Sequence, residues 1–384
     1  MVKARRKHRW PWIAAAVIAA AIAAFFGIAP GVVERSMNRI AGSGEWTVSP
    51  AAQALHDRLV IADLHSDTLM WKRDPEARSA RGHVDLPRLR DGNVKLQVFS
   101  SVTKTPKGQN YESNTGDTDN ITSLAIAQMQ PPRTWDSLLQ RSLWHAERLR
   151  AAKAYHPVRN IRELDALLAD RRATGALLSI EGLQNIEGRL SNVDVLFDAG
   201  FRMAGLTHFF DNEVAGSMHG LEKAGLTPLG REVIRRMEAK GMIVDLAHAS
   251  HKSVAEVLEL VTKPVVYSHG GVKATCDTNR NLSDDEIRGI AATGGVIGIG
   301  FWDAAVCDAT PQATARAMRH VRDLVGIDHV ALGSDFDGAT TVGFDASGMA
   351  AMTQALIDQG FTEDEIEKAM GGNIIRVLRA TLPR

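Results

Sequence analysis

Residues 59–68 read LVIADLHSDT. An apolar run ends abruptly in Asp63, His65 and Asp67, each two positions from the next. Along an extended strand that spacing puts the three side chains on one face. Burying three polar groups together is costly unless something partners them. Imidazole and carboxylate side by side at a strand end suit a divalent metal such as zinc, although a surface turn or a core histidine would give the same letters. The event recurs, and the recurrence carries the reading. Glu181 closes LLSIE, His208 closes GLTH, His248 closes IVDLAH, His269 closes VVYSH and Asp335 closes VALGSD.

Those closing residues end short apolar runs that alternate with amphipathic segments. Strands are predicted at 59–65, 95–102, 176–181, 203–208, 242–248, 264–269, 295–301 and 329–335. Helices are predicted at 135–153, 161–170, 193–198, 228–240, 251–260, 283–292, 311–325, 347–359, 363–369 and 373–380. Thr227 before Pro228, and Ser283 with Glu286 three residues on, read as helix starts. Eight strands alternating with helices predict an α/β chain closed as a (β/α)8 TIM barrel, with an open doubly wound sheet as the alternative. The glycine-rich 294–300 (GGVIGIG) falls within a strand instead of opening a helix, which argues against a dinucleotide fingerprint. The polar segment 104–132 reads as an elaborated loop after the second strand. In such a barrel the strand C-termini converge on one face, where active sites are built.

The chain has 384 residues, 45% hydrophobic and 23% charged, with a formal net charge of zero. This is globular composition, and the neutral balance gives no electrostatic reason to expect nucleic acid. Charge is uneven only at the start, where Lys3, Arg5, Arg6, Lys7 and Arg9 precede any acid. An apolar run over 12–29 follows, long enough to cross a bilayer as a helix and flanked by Trp10 and Trp12 at interfacial positions. The organisation expected is a basic cytoplasmic tail (1–11), a transmembrane anchor (12–29), a linker (30–48) and the barrel (49–384). The positive-inside rule puts the barrel across the membrane, on the periplasmic or extracellular face. A cleaved signal peptide, which would release a secreted enzyme, is the competing reading of the same run. Cys276 and Cys307 are an ordinary background count for thiols and a pair only in an oxidising compartment.

His65, Asp67, Glu181, His248 and His269 make three imidazoles and two carboxylates. That is too many for one tetrahedral zinc with an open position, but it fits two metals sharing a carboxylate. Glu181 is the natural bridge, and a water between two such ions is deprotonated near neutral pH and becomes the nucleophile.

With that set in view, the chain resembles the membrane (renal) dipeptidases, the M19-type dizinc metallopeptidases. The markers are DLHSDT, SIEGLQNIEG, LTHFFDNEVAGS, VDLAHAS, PVVYSHGGVKA, NRNLSDDEI, ALGSDFDG and GGNIIRVL, in that order between residues 59 and 378. The resemblance implies that His65 and Asp67 bind one zinc, His248 and His269 the second, with Glu181 bridging. It further implies that His208 holds the scissile carbonyl, that Arg280 grips the substrate's free carboxylate, and that Asp335 shuttles the proton. It also implies a disulfide between Cys276 and Cys307, tolerance of a C-terminal D-residue in the dipeptide substrate, and a homodimer. Leu64 and Ser66 stand where mammalian members have Gly and Asn, and Ala305 stands near the place of a pocket tyrosine; neither change touches a ligand. Another dizinc amidohydrolase, acting on a lactone, β-lactam or N-acyl amino acid, is the nearest alternative, followed by a non-catalytic peptide-binding protein. Asp63, Asp245 and Asp337 read equally as partners that orient ligands or as turn caps, and His83, His219, His251, His320 and His329 as structural.

Overall fold

The structure, a computed structural model, describes residues 9–42 and 45–384. Eight strands form the ring: β1 (Ile61–Asp63), β2 (Val94–Val102), β3 (Thr174–Glu181), β4 (Phe201–Gly205), β5 (Ile243–Asp245), β6 (Val266–Tyr267), β7 (Val296–Ile299) and β8 (Val330–Leu332). Each pairs in parallel with the next, and β8 closes on β1 through Leu332 opposite Asp63. Period-two alternation splits the strand side chains between two cores. Ala62, Val98, Leu177, Ile243, Val296 and Ala331 belong to one, which the C-terminal helix Asn373–Thr381 joins through Ile374 and Val377. Ile61, Phe99, Ile180, Val244, Ile297 and Leu332 belong to the other.

Three helices match their expected bounds, Pro228–Lys240, His251–Leu260 and Pro311–Val325. Each has a hydroxyl cap, from Thr227, Ser250 and Thr310, accepting from the backbone three residues on and so satisfying an orphan donor. The expected strands run long at their C-terminal ends. Beyond Asp63, Gly205, Asp245, Tyr267 and Leu332 the backbone leaves the ladder to present the polar residues. His248 (φ 64°) and Asp335 (φ 59°) turn in the left-handed region, which costs a non-glycine residue on the order of 1–3 kcal/mol and collects at functional sites. A further short strand, Tyr155–Pro157, pairs with β3 and was not expected from the sequence. Within the predicted loop 104–132, Ile121–Ala127 is helical.

Before the barrel, helix α1 (Trp10–Gly27) has no buried residue. It runs into α2 (Ala29–Met37), and Trp10–Met37 is, among the described residues, the single helix long and apolar enough to cross a membrane. Lys3, Arg5, Arg6 and Lys7 lie outside the described residues. The expected linker 30–48 is corrected here, because its first part packs on the barrel. Glu34 is buried, accepting from Arg73 Nε at 2.6 Å and from Arg81 Nε at 2.5 Å. Arg39–Ile40 then pairs in parallel with Thr341–Val342, beyond β8. The reason was invisible locally: a lone glutamate in a Gly-Val-Val-Glu stretch declares nothing until its arginines arrive from forty residues on.

Candidate active site

At the C-terminal ends of the strands, the residues singled out by the sequence come together around Glu181, the last residue of β3. Glu181 Oε1 lies 2.9 Å from His248 Nε2, 3.3 Å from His269 Nε2 and 3.4 Å from His208 Nε2. Its Oε2 lies 3.5 Å from His65 Nε2, which is also 3.5 Å from Asp67 Oδ1 and 3.9 Å from Asp335 Oδ1. All seven side chains are buried. Three overlapping groups have the spacing of a metal's ligands: His65, Glu181 and His269; Glu181, His208 and His248; His65, Asp67 and Asp335. Geometry alone therefore puts His208 and Asp335 as near to a metal position as the expected ligands.

The residues fit metal ions. His248 Nε2 and His269 Nε2 are 3.0 Å apart and both face Glu181 Oε1. Lone pairs so crowded repel unless a cation or a proton lies among them. His65 Nε2, Asp67 Oδ1 and Glu181 Oε2 are buried without hydrogen-bond partners among the described residues, a state that native proteins rarely leave uncompensated. Burial, together with Arg280 and neighbouring imidazoles, holds His248 and His269 well below the usual histidine range, so their lone pairs stay free. Burial would raise Glu181, but His208 and His65 outweigh it and keep the carboxylate ionised. With that charge adjacent, burial and Glu181 push Asp67 up to about 7, and burial with Asp67 and Glu181 carries Asp335 well above its ordinary value. Three buried carboxyls cannot all ionise unaided, and divalent cations relieve that conflict.

Second contacts fix the ligands. Asp245 Oδ2 accepts from Ser268 Oγ at 2.6 Å, leaving that oxygen to accept from His269 Nδ1 at 2.8 Å. This tautomer aims His269 Nε2 at the cluster. Asp63 instead holds the loop after β8, accepting from Ser334 N at 2.8 Å and Ser334 Oγ at 2.6 Å. Asp337 accepts from Arg73, from Thr68 Oγ1 and from His83 N. Gly338 is required for close approach, since a Cβ there would sit 2.0 Å from Asp335 Oδ1.

Arg280 lies beside the cluster and is fully buried. Its Nη1 donates to Tyr267 Oη at 2.8 Å and its Nη2 to the His269 carbonyl at 2.5 Å, while Nε has no partner among the described residues. A disulfide between Cys276 and Cys307 ties the loop after β6, which carries Arg280, to the loop after β7. One cavity of about 590 Å³ joins Asp67, Glu181, His208, His248, Arg280 and Asp335. Tyr111, from the loop after β2, and Trp302, after β7, also line it, with Trp302 Nε1 donating to Tyr111 Oη at 3.1 Å. Neither aromatic was foreseen, and an isolated loop aromatic gives no periodic signal. His219, read as structural, packs against the site, stacked on Phe209 with ring centroids 4.7 Å apart.

A closed parallel barrel with an imidazole–carboxylate nest at its C-terminal face defines a metal-dependent hydrolase. Residues 50–382 match the model of the membrane dipeptidase family, peptidase family M19, and the chain belongs to that family. It is a metal-dependent dipeptidase, a peptide-bond hydrolase. Among curated relatives, dipeptidase aclJ of Aspergillus oryzae is 29% identical over 352 residues, covering 86% of this chain and 80% of the relative. Dipeptidase tcpJ of Claviceps purpurea is 31% identical over 309 residues, covering 78% of this chain and 69% of the relative. Of solved structures, the probable dipeptidase PvdM of Pseudomonas aeruginosa superposes with a TM-score of 0.73 at 21% identity, over 86% of this chain and 97% of the other. A metallopeptidase of Rhodobacter sphaeroides, solved with a phosphinate mimic of the dipeptide L-Ala-D-Ala, has a TM-score of 0.68 at 23% identity, over 84% and 99%.

Proposed function

We propose that the chain is a membrane-anchored dizinc dipeptidase acting on dipeptides, including those with a C-terminal D-residue. The observation that carries the substrate reading is Arg280. Among the described residues, no carboxylate pairs with this buried guanidinium, so a cation is held in the cavity wall awaiting an anion. A dipeptide's carboxylate supplies one, and a guanidinium fork suits it. His65 and Asp67 would hold one zinc and His248 and His269 the other, with Glu181 between them. Zinc there would supply Lewis acidity and a water nucleophile acidified to near neutrality. His208, held below the usual histidine range by burial, donates to the scissile carbonyl oxygen. Asp335 accepts the water's proton and returns it to the leaving amine. The phosphinate dipeptide mimic bound by the Rhodobacter sphaeroides structure supports the choice of L-Ala-D-Ala as test substrate.

The zinc-loaded full chain is expected to hydrolyse L-Ala-D-Ala, and Arg280→Met to lose about 100-fold in kcat/KM, the worth of a charge-assisted bidentate pair. A loss below threefold, measured by amine release, would remove Arg280 from substrate binding.

The anchor reading rests on α1, apolar and without a buried residue, with Trp10 and Trp12 exposed at its start. The Cys276–Cys307 disulfide fits an oxidising compartment outside the cytoplasm. Membranes washed with alkaline carbonate are expected to retain the protein; recovery in the wash would favour a cleaved leader.

A further inference from the structure

We propose that α2 is one wall of the substrate site: it forms, with the loops after β1 and β2, an apolar subsite that selects a large apolar side chain on the dipeptide's N-terminal residue. The inference rests on Arg280 holding the C-terminal carboxylate. The cavity that contains Glu181, His248 and Arg280 continues without a break to Pro30, Val33 and Met37 of α2, facing Met70, Ile121 and Leu124. Met70 follows β1 and the helix bearing Ile121 and Leu124 follows β2, whereas Arg280 follows β6. In an eight-strand ring β6 stands across from β2. A dipeptide with its carboxylate on Arg280 and its peptide bond at the Glu181–His208 nest therefore sends its amino-terminal residue toward α2.

This wall is fixed, not draped. Glu34 is 1% exposed and holds both Arg73 and Arg81, and Arg73 continues to Asp337 in the loop that carries Asp335. At the far end of α2, Asn38 Oδ1 accepts from Ala339 N at 2.9 Å, and Arg39 N donates to the Thr340 carbonyl at 3.1 Å. Yet on the helix so secured, Val33 is 39% and Met37 43% exposed. Apolar side chains held rigidly in a cavity wall but left half-open are completed by an apolar group from a ligand. An unbranched methionine there adapts to differently shaped side chains.

The test uses the zinc-loaded full chain in lipid nanodiscs and two substrate series, X–D-Ala and L-Ala–Z, with X and Z running through Gly, Ala, Leu and Phe. In the first series kcat/KM is expected to rise at least tenfold from Gly to Leu or Phe, the contribution of burying a large apolar side chain. Val33→Asn with Met37→Gln is expected to cost Leu–D-Ala and Phe–D-Ala about ten times more than it costs Gly–D-Ala. Met37→Gln alone, at a half-exposed position, provides the same comparison if the double variant does not fold. Equal sensitivity along both series, or none, would overturn the subsite. A gain confined to the L-Ala–Z series, and lost in the variants, would put the C-terminal residue against α2 and overturn the orientation. Failure of the Arg280 reading is separately visible, as turnover of X–D-Ala amides equal to that of the free acids.

Discussion

Asp335→Asn is expected to lower kcat for L-Ala-D-Ala by about 10²–10⁴-fold, the range for removing a positioned general acid–base. Its metal content is expected to stay within a tenth of the wild type's. Asparagine keeps the shape and one oxygen but cannot carry the proton. Its surroundings fit the proposed proton transfer. Burial with Asp67 and Glu181 raises Asp335 above its ordinary value, and His65 and Arg280 pull it back. Its backbone is held at φ 59° by the register beyond β8, where Ser334 is tied to Asp63. Steady-state kinetics beside elemental analysis checks this. A variant that binds full metal and retains more than a tenth of the rate would take Asp335 out of the chemistry.

Glu181→Gln is expected to lower metal occupancy from the proposed two ions per chain to one or fewer, and activity by at least about 10³-fold. Loss of several kcal/mol of charge stabilisation corresponds to that factor at 1.36 kcal/mol per decade. Both oxygens of Glu181 are committed, Oε1 toward three imidazoles and Oε2 toward His65. A glutamine would direct its NH2 group at one of those sets, replacing an acceptor with a donor. Elemental analysis after dialysis reads the occupancy directly. Two ions retained in an active variant would show that the bridge lies elsewhere.

The barrel and the convergence of the site were legible in the sequence for one physical reason. A parallel strand buried on both faces is a short apolar run, so a polar residue at its end is conspicuous. His65, Glu181, His208, His248, His269 and Asp335 all announced themselves that way. Helix ends read well where a cap was encoded, as at Thr227 and Thr310. What stayed hidden depends on partners distant in sequence. Glu34 looked like part of a linker because Arg73 and Arg81 are what bury it. Asp63 was left between ligand-orienting and capping because its partners, Gln97 and Ser334, are 34 and 271 residues away. Tyr111 and Trp302 carry no pattern, and only the folded loops bring them to the cavity. For Arg280, the family motif suggested the role, and its burial, with no carboxylate partner among the described residues, supports that proposal.

The ring closes between its first strand, β1, and its last, β8. His65 and Asp67 are made early in synthesis, while Asp335, and the Ser334 that clasps Asp63 at the seam, arrive near the end. Contacts of such long range form late, because the entropy of closing the intervening loop must be met first. An emerging chain thus holds metal-attracting side chains for most of its length before it has a finished nest to put them in. The nest is complete only once the seam is: a chain that stops short of Ser334 lacks both Asp335 and the clasp on Asp63.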